Sequence, residues 1–105
     1  MDVVQVTVSV PSREVGAEIA RSVVDRRLAA CVQVLGPMTS TYRWQGKVET
    51  AEEWIVLLKT TADRAGDLVA HIREVHPYDV PEVIVTAVVA GNPDYLAWVA
   101  AETAP

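Results

Sequence analysis

"MTSTYRWQGKVETAEEWIVLLKTT", residues Met38–Thr61, decides how this chain folds. Gln45-Gly46 is a tight-turn signal. Before it, Ser40, Tyr42 and Trp44 alternate onto one face of an extended segment. After it, the segment closes in the apolar run "WIVLLKT", a strong strand pattern. The upstream stretch "LAACVQVLG" at 28–36 is β-like too, so a hairpin with long arms is predicted, bent at Gly36-Pro37. Arms of about 12–15 residues reach roughly 40–50 Å at ~3.3 Å per residue.

Working outward, "VVQVTVSV" at 3–10 alternates at Val4, Val6, Val8 and Val10 and reads as a strand, which Pro11-Ser12 breaks. Ser12 can cap a helix with Glu14 in its first turn. Val15, Ile19, Val23 and Val24 give that helix an apolar face, from about Arg13 to about Arg27. A second helix is expected after a cap at Asp63, with Ala65, Leu68, Val69, Ile72 and Val75 facing inward and Pro77 ending it. "EVIVTAVVAG" at 82–91 reads as a fourth strand. Asn92-Pro93 then starts a third helix that packs down through Tyr95, Leu96, Trp98 and Val99. The order β-α-β-β-α-β plus a helix predicts an α+β, ferredoxin-like fold, as a single domain over 1–105 with a long central hairpin and a C-terminal helix.

Half of the 105 residues are apolar, enough for one core, which Val, Ala, Leu and Ile must fill because there is no Phe. A net charge of −5 without a Lys/Arg cluster argues against a nucleic-acid partner. Cys31 is the single cysteine, so no intrachain disulfide or Cys/His zinc pattern exists, which suits a reducing cytoplasm. The first residues alternate and lack a basic region, so they read as a strand and not as a signal peptide. No run approaches the ~20 apolar residues that span a bilayer, so no membrane partner is expected.

The first and fourth strands are apolar at nearly every position, so both sheet faces need cover. The long hairpin overhangs its neighbours and carries Tyr42, Trp44 and Trp54. A bare two-stranded ribbon is marginal in water. Both features predict an obligate homo-oligomer. The alternative is that the third helix covers the second face and the ribbon folds back.

The densest chemistry lies in "HPYDVPE" at 76–82, where Pro77 and Pro81 stiffen a loop that holds His76, Tyr78 and Glu82. It reads either as a metal or ligand cradle using the His76 imidazole and the Glu82 carboxylate, or as a hard corner between a helix and a strand. Cys31 is a small buried hydrophobe or a soft ligand. Lys59, ending an apolar strand, meets an anionic group in a cleft or snorkels at an edge. Glu49, Glu52 and Glu53 read as a solvated acidic surface, and His71 as solvent-facing. No GxSxG, Walker, HExxH or GxGxxG pattern is present, and no enzyme activity is expected.

Taken together, "RLAACV" at 27–32, "TYRWQGKVE" at 41–49, "LLKTT" at 57–61, "HPYDVPE" at 76–82 and "YLAWV" at 95–99 resemble the CutA family of divalent-cation tolerance proteins, in order and over essentially the whole chain. The resemblance implies a ferredoxin-like homotrimer with hairpins running onto neighbouring subunits, linked to tolerance of copper and other divalent metals. It implies weak binding of copper(II) or another divalent cation, with His76 and Glu82 facing the metal and Cys31 as a possible soft ligand. Some members also carry a cysteine near the end of strand one and a histidine just before HPY, where this chain has Val8 and Val75. The family's architecture is similar to the trimeric PII signalling proteins, which bind small effectors between subunits. A PII-like module binding a small anionic effector is therefore the alternative, with Lys59, Tyr78 and Trp44 in an intersubunit cleft.

Overall fold

The alternating valines of Val3–Val10 form β1 and send Val4, Val6, Val8 and Val10 into the core. The computed structural model describes residues 2–105. Helix α1 (Arg13–Asp25) starts where the Ser12 hydroxyl accepts the Val15 N–H at 3.1 Å, the expected cap. It stops two residues short of Arg27, which adopts a left-handed φ of 59° and turns the chain toward β2 (Cys31–Trp44). The β-like stretch therefore begins at Cys31 and not at Leu28. A two-residue turn leads into β3 (Lys47–Thr61), then come α2 (Ala62–Val75), β4 (Val83–Ala87) and α3 (Pro93–Glu102).

The strands form one antiparallel sheet in the order β2-β3-β1-β4, the ferredoxin-like arrangement. Helices α1 and α2 lie on one face. Ile19 and Val23 of α1 and Leu68 and Ile72 of α2 close on Val6, Val8, Val56 and Leu58. Val24 and Val75 were expected on these apolar faces, yet both are exposed. Val24 lies 100° further round α1 than Val23, and Val75 ends α2 as the chain leaves the sheet. Thr61, not Asp63, stands at the start of α2.

The hairpin is as long as its sequence predicts, and the molecule measures 44 Å along its longest axis. Gln45 and Gly46 take φ of 49° and 78°, the left-handed pair of a type I′ turn, which closes Trp44 onto Lys47. Residues Trp54–Thr61 of β3 also pair with β1, whereas the ribbon beyond them pairs only within itself. At Gly36-Pro37 the register jumps from Leu35↔Ile55 to Met38↔Glu53, so two residues of β2 stand opposite Trp54 alone. This bulge reverses the side-chain parity of β2. It puts Ser40, Tyr42 and Trp44 on the same face as Cys31, Gln33 and Leu35, away from α1 and α2. A methyl at Gly36 would fall on the Trp54 indole, so glycine is required there. Trp54 itself packs on the chain's own core, contrary to its expected place on the overhang.

Strand β4 is five residues long and does not run to Gly91. Its ladder to β1 ends at Val4↔Ala87, and only one further bond follows, Val88 N–H to the Val3 carbonyl at 3.1 Å. Asn92 caps α3 by accepting the Asp94 N–H at 3.1 Å, with Pro93 in the first turn as expected. Helix α3 packs on β3 and β1 at one end of the second face, burying Val99, Val3 and Thr61. Tyr95 and Trp98 were expected to pack down, but remain partly exposed and lie against each other at 5.7 Å. The Arg27 guanidinium fixes the far end of α3 by donating to the carbonyls of Ala101 and Ala104, both at 3.0 Å. Among the described residues no helix is long and apolar enough to cross a membrane.

Candidate functional site

The second face ends, opposite α3, where β1 stops, the ribbon departs and the corner from α2 to β4 passes overhead. Three consecutive hydrogen bonds build that corner. The His76 N–H donates to the Ile72 carbonyl at 2.9 Å and finishes α2. The His76 ring reaches β1, where its Nε2 lies 2.7 Å from the Ser9 carbonyl. A carbonyl only accepts, so Nε2 carries the proton and Nδ1 keeps its lone pair. That lone pair accepts the Tyr78 N–H at 3.1 Å. The His76 and Tyr78 rings sit 4.7 Å apart, with Pro77 fixing the step between them.

So held, the Tyr78 hydroxyl donates to Glu53 Oε2 at 2.8 Å. Glu53 lies on β3 at the mouth of the bulge, opposite Met38, and is only 7% exposed. Burial, reinforced by the hydrogen bond to Glu53 and its nearby charge, pushes the Tyr78 phenol up to about 12. Between the corner and the ribbon runs a groove of about 720 Å³, into which Tyr42, Trp44, Tyr78, Glu53, Asp79 and Glu82 project. No Lys, Arg or His is among the described residues lining it.

The residues singled out from the sequence fall into two groups. Tyr78, Trp44 and Glu82 share the groove. Lys59 and Cys31 lie at the opposite end of the second face, beside α3. There the Lys59 Nζ donates to Gln33 Oε1, and Gln33 Nε2 approaches the Cys31 Sγ at 3.5 Å. Tyr95 closes this cluster, its phenol pushed up by burial and by the adjoining Cys31 thiol. His76, read as metal-facing, is buried with both ring nitrogens engaged inside the chain, so its one lone pair already has a partner. Among the described residues no three His, Cys, Asp or Glu side chains come together as metal ligands would. Within one chain, the donors therefore do not fit a tight metal site. Val8 is fully buried in the core.

Two members of the site escaped the sequence. The sequence groups Glu53 with Glu49 and Glu52 as solvated, yet those two are exposed and Glu53 is buried. The available signal was its strand spacing, two residues before Ile55 and four before Leu57 on one face of β3. Asp79, in the loop of the corner, carries no such spacing signal. His71, expected to face solvent, instead pairs with the Ser22 hydroxyl of α1 at 2.8 Å.

The model of the CutA1 divalent ion tolerance protein family matches residues 4–102. The chain is 47% identical over 92 residues to Protein CutA of Mus musculus, covering 88% of this chain and 52% of that protein. It thus spans about half the length of that relative. It is 42% identical over 98 residues to the divalent-cation tolerance protein CutA of Thermus thermophilus, covering 93% of this chain and 95% of that one. The crystal structure of CutA from Xylella fastidiosa superposes with a TM-score of 0.96 at 39% identity, covering 99% of this chain and 100% of that one.

Proposed function

Because the chain belongs to the CutA1 family of divalent ion tolerance proteins, we propose that it serves copper or other divalent-metal tolerance in the cytoplasm as a homotrimer, by binding and not by turnover. The observation that carries this reading is the unfinished second face. Leu35 and Ile84 are each 49% exposed there, and Tyr42 and Trp44 stand out on a ribbon that no other strand supports. Contiguous apolar exposure of this kind asks for another copy. Metal enters through donors from more than one chain, since a single chain does not assemble them. Glu82 is the available carboxylate, exposed at the groove. His76 joins a metal only by giving up the bond from the Tyr78 N–H, which keeps affinity low.

Support for the anionic-effector alternative is thin, since acids line the groove and Lys59 is committed to Gln33. Light scattering on the purified protein tests the assembly, and calorimetric titration of copper(II) and zinc(II) on the same sample tests the metal. A three-chain mass and weak metal binding that Glu82→Gln reduces are the expected results. A monomer mass, or metal binding indifferent to both Glu82→Gln and His76→Ala, would sink the corresponding half of the reading.

A further inference from the structure

We infer that the groove between the ribbon and the His76–Glu82 corner is the seat for the ribbon tip of a neighbouring copy, entered by Arg43 and Val48 of that copy. The inference rests on the homotrimer reading and adds which surfaces meet. It starts from the tip. Arg43 and Val48 stand directly opposite each other across the ribbon, and both are exposed, Val48 to 65%. Pairing with β1 stops at Trp54, so nothing in the chain's own sheet supports them. The single ion pair among the described residues joins Arg64 and Asp67, elsewhere on the molecule, so Arg43 has no carboxylate of its own. Alternation along β2 puts Arg43 on the ribbon face opposite Tyr42 and Trp44, turned away from its own groove.

The groove offers the complement of that tip. Its walls carry the rings of Tyr42, Trp44 and Tyr78 and the exposed carboxylates of Asp79 and Glu82, with no Lys, Arg or His among the described lining residues. A guanidinium suits such walls, because its plane stacks on aromatic rings while its N–H groups reach a carboxylate. Asp79 is the carboxylate assigned to it, since Glu82 is the one that the metal reading calls on. Val48 adds apolar contact against the rings, and about 720 Å³ leaves room for both side chains. The same contact covers Tyr42 and Trp44, whose exposure asks for another copy. Tip and groove are different surfaces, so the contact runs head to tail, the geometry of a ring and not of a two-fold pair.

Charge reversal in the full-length protein tests the seat, with particle mass followed by light scattering over a dilution series. Arg43→Glu or Asp79→Arg alone should raise the concentration at which the assembly dissociates about tenfold, because like charges then face each other at every contact. Arg43→Gln and Asp79→Asn should shift it less and in the same direction, and unchanged circular dichroism guards against a folding defect. Mixing the two reversed variants should recover much of the loss, because the tip of each then meets an opposite charge in the groove of the other. A side chain acting only within its own copy gives no such recovery. A monomeric wild type sinks the homotrimer reading and the seat with it. A three-chain wild type whose dissociation neither reversal moves leaves the homotrimer standing and overturns the seat, and so does a mixture that recovers nothing.

Discussion

Leu57 and Leu58 are neighbours in β3 and live in different surroundings. Leu58 faces α1 and α2 and is fully buried, along with Val6, Val8, Val10 and Val56. Leu57 points to the second face, is only partly covered, and shares that face with Gln5, Gln33 and Lys59. The helix face is a closed apolar layer whose pattern specifies the fold. The second face mixes apolar and polar groups, holds α3 at one end and the Glu53–Tyr78 groove at the other, and leaves much of its middle open. Stability resides mainly on the first face, and the second is the one left open.

The sharpest test of this contrast sets the two leucines against each other. Leu58→Ala removes buried methyl groups and should cost about 2–5 kcal/mol in urea unfolding. Leu57→Asp should leave the secondary structure intact by circular dichroism, but reduce the particle mass seen by light scattering if the second face is where copies meet. An unchanged mass would assign assembly to the ribbon alone. Next in size is Gly36→Ala. Its methyl would collide with the Trp54 indole at the bulge, and overpacking of this kind costs about 1–3 kcal/mol. Because the bulge sets which face Tyr42 and Trp44 occupy, the substitution should also weaken the hold on whatever fills the groove. A stable variant with unaltered tryptophan fluorescence would show that the ribbon's facing does not depend on that glycine.

How much of this was legible in the sequence follows from the same contrast. The helix face rests on local periodicity, so β1, the caps at Ser12 and Asn92 and the turn at Gln45-Gly46 could all be read from short stretches. The groove depends on contacts remote in sequence. His76 bonds to a Ser9 carbonyl 67 residues away, and a backbone partner leaves no mark on residue type. The sequence therefore leaves His76 open between a metal ligand and the pin of a corner, and the bonds that make it a pin run to backbone groups. Glu53 looked solvated because two exposed glutamates and the turn lie close by, whereas Tyr78, 25 residues on, folds over it. The face of α3 was hard to assign because apolar residues lie all round it, as Tyr95, Leu96, Trp98 and Val99 show.

Tyr78→Phe is the smallest change and probes the groove end of the second face most directly. Loss of the hydroxyl leaves Glu53 without its donor, and near neutral pH this should cost about 1 kcal/mol. The pH dependence carries the more specific signature. The Tyr78 phenol stands at about 12 in the folded chain against 10.0 for an ordinary tyrosine, so the folded state keeps its proton after the unfolded chain has lost it. Between those values the unfolded state binds fewer protons, and the contribution of this group to stability falls as pH rises. Below about pH 10 that contribution is fully present. The wild type should therefore exceed the phenylalanine variant in urea midpoint at neutral pH, with the gap narrowing as pH climbs through the window. The late phenolate absorbance step should disappear in the variant. A gap that stays constant would mean that the Glu53–Tyr78 bond does not hold in solution, and the second face would lose its one built polar anchor at the groove.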